Sequence, residues 1–462
     1  MLKNFKQLVS LCRHDISRGR THNMQKSGTG RLLAVALGLS LVAAACGDDE
    51  ETTSTTAAAA SATTMAEEAA ATTMAEEGSA TTMAEEGAAT TMAEEGSATT
   101  MAAAMGDDTG LPTPTGAVCE GGVTLAFIGA LSGDNGALGT NMINGASVAI
   151  DAFNEANPDC QVTFDTAYDS QGDPAQATPL AATIANNEAI IGLIGPGFSG
   201  ETNATMPTFD TAGLHMITPG ATNALLSTNG WTTFHRVLAN DDLQAPGVVQ
   251  LIEGTIGGTK VGVIDDASDY GKGLADAVKT GLGDALVAEA VIDPKAADYS
   301  AAITAMADAE VDTIFYSGYY AEAAKMLQQI RDAGIEATFV SGDGTLDPAF
   351  IENAGEVSEG TYLTATGAPS DINANFAAAF DAAHGTEPRL YSPEAYDAAY
   401  VFLSGIAAGN TTRESLGTWI DGYDAAGITK QISFSPEGEP AGSAVYYTVV
   451  EGGVLVGKGL IP

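Results

Sequence analysis

Val123-Thr124-Leu125-Ala126-Phe127-Ile128-Gly129 is a seven-residue run with a single polar side chain. It breaks at Gly129-Ala130-Leu131-Ser132-Gly133, passes Gly136 and Leu138-Gly139, and resumes as an amphipathic stretch over Asn141–Asn154. A short apolar run closed by glycines reads as a strand covered on both faces. The stretch behind it has the length and periodicity of a covering helix. Strand, glycine-rich loop and helix make the building block of a parallel α/β sheet.

The alternation continues downstream. Gln161–Ala167 precedes Pro174–Asn187, and Ala189–Ile194 precedes Gly200–Ala212 and Leu214–Thr218. Lys260–Asp265, Leu286–Ile292, Thr313–Ser317 and Thr338–Ser341 repeat the strand texture. The 346 residues from position 117 onward exceed what one such sheet carries, so two α/β lobes are predicted. Cys119 stands just before the first strand and Cys160 just before the second. Neighbouring parallel strands bring those positions side by side, and export permits oxidation, so a Cys119–Cys160 disulfide is predicted. It closes a loop of about 40 residues, worth about 4 kcal/mol if the effect is loss of chain entropy. A two-cysteine metal site finds no partners: His215, His235 and His384 have no zinc-like spacing, so no metal is expected.

Upstream the texture is different. Leu32–Ala45 is a 14-residue run, apolar but for Gly38 and Ser40, behind Lys26 and Arg31. It is short for a membrane span and fits the hydrophobic region of an export signal. It ends Leu41-Val42-Ala43-Ala44-Ala45-Cys46-Gly47, which resembles a bacterial lipoprotein cleavage box with Cys46 as the lipidated residue. The alternative is an ordinary signal cut near Ala45. Met24 would give this signal a basic region of normal length, so translation is expected to start there. Residues 47–116 repeat Ala-Thr-Thr-Met-Ala-Glu-Glu, with Met65, Met74, Met83, Met92 and Met101 nine residues apart. That segment holds 14 acids, no base and no aromatic side chain. Such a composition buries too little apolar surface to fold, so it reads as a disordered acidic tether spanning roughly 45 Å as a coil. A marginal helix is the rival reading.

The chain carries 18 Lys+Arg against 59 Asp+Glu, a formal charge of −41. That excludes a basic nucleic-acid binder and charge-driven docking on anionic lipid. The total divides into +6 over residues 1–46, −14 over 47–116 and −33 over 117–462. The field of the folded part repels anions and favours zwitterions over dicarboxylates. Motifs for catalysis are absent. Gly195-Pro196-Gly197-Phe198-Ser199-Gly200 satisfies G-x-G-x-x-G, but it follows the third strand and no acid ends the next one. Glu201 takes the last place of a G-x-S-x-G elbow around Ser199. Neither an enzyme nor a cofactor is predicted.

In open α/β sheets, ligands sit beyond the carboxyl ends of the strands. There the sequence places Phe198-Ser199-Gly200 and Thr218-Pro219-Gly220-Ala221-Thr222 in the first lobe. Asp269-Tyr270-Gly271, Ser317-Gly318-Tyr319 and Ser341-Gly342-Asp343-Gly344 belong to the second. Hydroxyls at helix starts suit a carboxylate, while an acid among aromatics suits an ammonium group. Together they would hold a zwitterion.

Phe127–Gly139, Gly145–Asn154, Gly195–Thr222 ending Met-Ile-Thr-Pro-Gly-Ala-Thr, Asp269–Gly273, Asp312–Glu322 and Phe339–Gly344 run in one order along the folded part. In that ordered set the chain resembles the periplasmic leucine/isoleucine/valine-binding protein family, the type I substrate-binding components of ABC transporters. The resemblance covers residues 118–462. It implies an α/β type I periplasmic-binding-protein fold with two doubly wound parallel-sheet lobes joined by a three-crossing hinge. Lobe 1 would take about 117–237 and 367–434, and lobe 2 about 238–366 and 435–462. The crossings fall near Val237–Asn240, Thr364–Gly367 and Phe434–Gly442.

Carried over by position, the resemblance gives the ligand carboxylate to Ser199 and Thr222. The ammonium goes to the Gly220 carbonyl, Thr222 and Asp343, where the family more often has Glu. Leu138, Phe198, Tyr270 and Tyr319 line the side-chain pocket, with Leu138 standing where the family often has Tyr. The bland alternatives are core packing for the two tyrosines, helix capping for Ser199 and Thr222, and a turn role for Asp343. The implied protein is an exported, lipid-anchored, monomeric lipoprotein on the periplasmic or outer face of the membrane. It would capture a branched-chain or other apolar α-amino acid by lobe closure and hand it to an ABC permease. The alternative is an exported sensor of an amino acid, amide or urea-type ligand that signals through a membrane receptor.

Overall fold

The computed structural model describes residues 110–119 and 121–462. The export signal with Cys46, the Met24 start and the tether as far as residue 109 lie outside the described residues. No helix among the described residues is long and apolar enough to cross a membrane.

The chain first builds β1 (Val123–Gly129), α1 (Gly136–Ala156), β2 (Val162–Asp169), α2 (Pro174–Ala185), β3 (Ile190–Ile194), α3 (Ser199–Thr211), β4 (Met216–Thr218) and β5 (Phe234–Arg236). These strands form one parallel sheet in the order β2-β1-β3-β4-β5. There follow α4 (Asp241–Gln250), β6 (Val261–Asp265), α5 (Asp269–Leu282), β7 (Leu286–Val291), α6 (Ser300–Asp308) and β8 (Thr313–Ser317). Then come α7 (Tyr320–Asp332), β9 (Thr338–Ser341), α8 (Pro348–Ala354) and β10 (Tyr362–Ala365). The chain next returns to the first lobe with α9 (Ala374–His384), α10 (Ser392–Ala407), α11 (Arg413–Asp421) and the small antiparallel pair β11 (Asp424–Ala426) and β12 (Gln431–Ser433). It ends with β13 (Tyr446–Glu451) and β14 (Val454–Leu460) in the second lobe. The second sheet runs β14-β13-β10-β9-β8-β6-β7.

Burial follows strand position. Central β3, β6 and β8 are buried at every residue, as expected of strands covered by helices on both faces. Edge strand β7 alternates half-buried and exposed residues, because one of its faces meets solvent. The parallel-sheet expectation needs one correction. The second sheet carries an antiparallel hairpin, β13 on β10 and β14 on β13. Gly452 and Gly453, both at positive φ, make its two-residue turn.

Three links join the lobes, running from β5 to α4, from β10 to α9 and from β12 to β13. They are bonded to one another. The Thr366 hydroxyl donates to the Ala239 carbonyl at 3.0 Å. The fully buried Arg236 guanidinium pairs with Glu439 at 2.8 Å, and Arg236 N–H donates to the Gly438 carbonyl at 3.0 Å.

The packed domain starts earlier than position 117. Leu111 and Thr113 are buried. Asn157 donates to the Pro114 carbonyl and accepts from Ala117 N–H, each at 2.9 Å. Tyr396 Oη donates to the Pro112 carbonyl at 3.1 Å. The residues expected to close the tether are therefore clamped on lobe 1, because Leu111 and the prolines bring apolar surface that the acidic repeat lacks. Just beyond them, Cys119 and Cys160 form the expected disulfide, with Cα atoms 4.6 Å apart. Replacing Cys160 by Ser lengthens the free chain of the unfolded state by about 40 residues. It should lower the stability of the oxidised protein by about 4 kcal/mol in urea unfolding, and reductant should do the same to the parent chain.

Candidate functional site

In each sheet the order of strand addition reverses between its first and third strands, β1/β3 in one lobe and β6/β8 in the other. The crevice at such a switch point opens beyond the carboxyl ends of the strands. Both crevices face one cleft, and the predicted residues gather there. Leu138 lies in the first turns of α1. Phe198 precedes α3, Ser199 opens it, and Gly220 and Thr222 follow β4. From the other lobe come Tyr270 in the first turn of α5, Tyr319 just before α7, and Asp343 two residues after β9. All are buried except Tyr319, which is partly buried.

The two lobes touch across this cleft. The Phe198 ring stacks on Tyr319 with centroids 4.5 Å apart, and Tyr319 leans on Tyr270 at 5.3 Å. Asn203 Nδ2 donates to Asp269 at 2.9 Å, and Asn141 Nδ2 to Asp347 at 3.0 Å. Ala137 N–H donates to the Tyr320 hydroxyl at 3.3 Å. The chain is thus in a closed form, with aromatic rings forming the wall between the lobes.

The polar groups divide by lobe. On lobe 1, Ser199 Oγ accepts from Asn223 N–H at 3.2 Å. The first N–H groups of α3 have no carbonyl of their own helix to bond. Thr222 Oγ1 is buried without a hydrogen-bond partner. Ser199 is not the cap of α3. Phe198 holds that position, and Glu201 Oε2 accepts from Phe198 N–H at 3.1 Å. The capping alternative therefore falls for Ser199. Gly220 has no room for a side chain: a Cβ there would stand 2.4 Å from Met142 Cε and 2.8 Å from the Gly197 carbonyl.

On lobe 2, Asp343 is completely buried and is more than a turn residue. It accepts from the Tyr270 hydroxyl at 2.7 Å and from the Tyr391 hydroxyl. Burial pushes its pKa up, while the tyrosine hydroxyls oppose that rise. Tyr270, Tyr319 and Tyr391 are all pushed well above the usual phenol range by burial and stay neutral donors.

Two residues of this cleft were not read from the sequence. Tyr391 belongs to lobe 1 yet reaches Asp343 in lobe 2. Its φ of 68° puts a bulky residue in the left-handed region, a strained placement that persists only when surroundings enforce it. The enforcement is visible next door. Gly145 of α1 lies so close to α10 that a Cβ would stand 2.0 Å from the Ser392 carbonyl. No sequence signal announces this, because Tyr391-Ser392-Pro393 reads only as a helix start.

Asp241 is the second. It opens α4 directly after the first crossing, and its N–H donates to the Thr222 carbonyl at 2.9 Å. Both its carboxyl oxygens are buried and without a close hydrogen bond, and the nearby Thr222 hydroxyl and Arg236 charge only partly offset that burial. Burial, then the nearby Asp343 charge, push its pKa up to about 8. The Asn240-Asp241 pair at a hinge exit was a legible signal, since the crossing itself was placed at Val237–Asn240. Cleft and hinge thus hold two buried carboxyls and an unpartnered hydroxyl, facing a helix start and a serine. That arrangement is equipped to bind a cationic group beside an anionic one, and nothing in it resembles a nucleophile with its base.

A family profile described as "Periplasmic binding protein" matches residues 122–453. A Leu/Ile/Val-binding protein of Rhizobium johnstonii is 29% identical over 299 residues, 63% of this chain and 81% of the relative. A Leu/Ile/Val-binding protein homolog of Brucella abortus is 31% identical over 275 residues, 58% of this chain and 73% of the relative. Among solved structures, a branched-chain amino acid substrate-binding protein of Streptococcus pneumoniae in complex with isoleucine superposes with a TM-score of 0.67 at 24% identity. It covers 74% of this chain and 100% of its own. A Rhodopseudomonas palustris solute-binding protein in complex with benzoate superposes with a TM-score of 0.66 at 18% identity, covering 74% and 96%.

The orphaned Asp241 carboxyl has a measurable signature. Unfolded, it releases its proton near pH 4; folded, near pH 8. Between those values the native state holds the extra proton, so stability falls as pH rises through that window and levels off above it. Urea midpoints measured from pH 4 to 9 should show Asp241→Asn losing part of this downward slope, with the variant overtaking the parent chain at the alkaline end.

Proposed function

The chain belongs to the periplasmic binding protein family, with the Leu/Ile/Val-binding proteins among its relatives, and we propose that it captures an apolar α-amino acid between its lobes. The observation that carries this reading is Asp343. It is a fully buried carboxyl on one lobe, across the cleft from the α3 start and hydroxyls of the other. Burying a carboxylate is costly unless a cation and hydrogen bonds compensate it. An α-amino acid supplies the cation and brings its own carboxylate for Ser199, Thr222 and the N–H groups of α3. The ammonium lies between the Gly220 carbonyl, Thr222 and Asp343, with Asp241 as a further acceptor behind Thr222. Leu138, Phe198, Tyr270 and Tyr319 enclose the side chain, and their apolar surface selects against polar ones.

Binding proceeds by closure rather than chemistry. The ligand settles on the Ser199/Thr222 lobe. The second lobe then brings Asp343, Tyr270 and Tyr319 over it, and Tyr391 locks the lid from below. The closed form is what a permease of an ABC importer would read. Lipidation at Cys46 would keep it at the membrane, facing the periplasm or the cell exterior. A benzoate-type ligand would bring no cation to Asp343 or Asp241, so the acids favour the amino acid over an aromatic acid.

Calorimetry with leucine, isoleucine, valine, a polar amino-acid panel and benzoate tests this. Saturable binding of the branched-chain set is expected, and no heat with any α-amino acid would overturn the ligand class. Asp343→Ala should weaken binding by about 2–5 kcal/mol, since it strands a buried ammonium group. An unchanged affinity would remove Asp343 from the site. Ligand binding near neutral pH should also release a proton from Asp241, seen as a binding heat that varies with buffer ionisation enthalpy and ceases to vary in Asp241→Asn.

A further inference from the structure

Lobe 1 holds a second polar cluster that the amino-acid cleft does not use. His215 precedes β4 by one residue, His235 lies in β5, and Asp421 ends α11. In the β4–β5 register Ile217 is opposite His235. Residue 215 lies two positions before 217, and side chains two apart on a strand point to the same face. The two imidazoles therefore meet, with ring centroids 5.5 Å apart. Asp421 Oδ1 comes down from α11 to 3.3 Å from His235 Nε2. One donor atom from each of the three side chains lies within 4.8 Å of the other two.

The surroundings leave this space to the imidazoles. Gly417 is the α11 residue above them, and a Cβ there would stand 2.1 Å from His215 Nε2. The Nδ1 atoms of both rings are buried and have no hydrogen-bond partner. An ion pair between His235 and Asp421 would account for Asp421 and for the His235 Nε2 atom. It would leave the position of His215, stacked on His235 beneath Gly417, unaccounted for.

We propose that His215, His235 and Asp421 form a binding site for a divalent transition metal of the Zn²⁺ type. Two imidazoles and a carboxylate are a borderline nitrogen and oxygen donor set, which suits such ions and does not suit Mg²⁺ or Ca²⁺. Nitrogens bound tetrahedrally to one zinc lie about 3.4 Å apart, so a small inward movement of the three side chains completes the geometry. Asp421 is 59% exposed at its side chain, which leaves water access to a fourth position. The spacing of 20 residues between the histidines hid this site in the sequence. It is assembled by strand pairing and by a helix that arrives nearly two hundred residues later, an arrangement that the linear spacing of the histidines does not show. The ion would bolt α11 to the edge strand of the first sheet. Phe434, the first residue of the third hinge link, packs edge-on against the His235 ring at 4.9 Å. A bound metal would therefore stiffen lobe 1 where that link leaves it, without touching the amino-acid cleft.

The test is titration of the full chain with Zn²⁺ alone, followed by calorimetry and thermal unfolding, with Mg²⁺ as the control ion. The expected result is a zinc site that raises Tm and is weakened at least about tenfold by His215→Gln and by Asp421→Asn. His384→Gln should leave it unchanged, and leucine affinity should stay the same in all three variants. Asp421 is exposed, so its variant keeps the fold and circular dichroism verifies this. Absence of zinc binding, or zinc binding insensitive to both His215→Gln and Asp421→Asn, would overturn the proposal.

Discussion

The structure turns on the burial of one guanidinium at the base of the cleft. Arg236 is fully buried at the end of β5, and its Nη1 donates to the carbonyls of Ala221 at 2.9 Å and Asn223 at 3.1 Å. Its Nη2 holds Glu439 on the third link. Its charge also lowers the cost of the neighbouring Asp241 carboxylate. One cation thus shapes the loop that carries Thr222, fastens two of the three hinge strands and offsets part of the acid load at the hinge. A buried ion pair is weak evidence for stability but good evidence for a specified geometry. Here the specified geometry is that of the Ala221–Asn223 loop and of the two links that Arg236 joins.

Around that pivot the polar chemistry is unbalanced by design of the sequence. Asp343 and Asp241 are two buried acids near one another, and the Coulomb repulsion between them is part of what raises Asp241. Two tyrosine hydroxyls satisfy Asp343, whereas Asp241 has no close hydrogen bond and only the Thr222 hydroxyl and the Arg236 charge nearby to offset its burial. A cleft that stays partly uncompensated until a cation enters has selectivity built into its electrostatics. An apolar guest of the right shape but without an ammonium group leaves the acids as they were. The acidic net charge of the chain plays no part in this, since the relevant charges are out of solvent.

Much of this was legible before any coordinates. The strands β1, β8 and β9 have the bounds that their apolar runs suggest, because glycines and polar residues end those runs sharply. The β-to-α loops of both lobes were readable for the same reason, and with them Ser199, Thr222, Tyr270, Tyr319 and Asp343. What escaped was set by long-range packing. Tyr391 owes its place to a backbone twist enforced by α1 against α10, and the terminal hairpin joins its sheet by antiparallel pairing with β10, outside the β–α alternation. Asp241 lay in plain view at a hinge exit but looked like an ordinary helix-start acid. Only the burial of both its oxygens distinguishes it.

The clamp on residues 111–117 ties the incoming segment to one lobe and not the other. Asn157 and Tyr396, which grip that incoming segment, both belong to lobe 1, as does the disulfide next to it. Lobe 2 is reached from upstream only through the three hinge links. Any attachment ahead of Leu111 would therefore act on lobe 1 first. A pull on that segment would load lobe 1 directly and reach lobe 2 only through the hinge links and the contacts across the cleft.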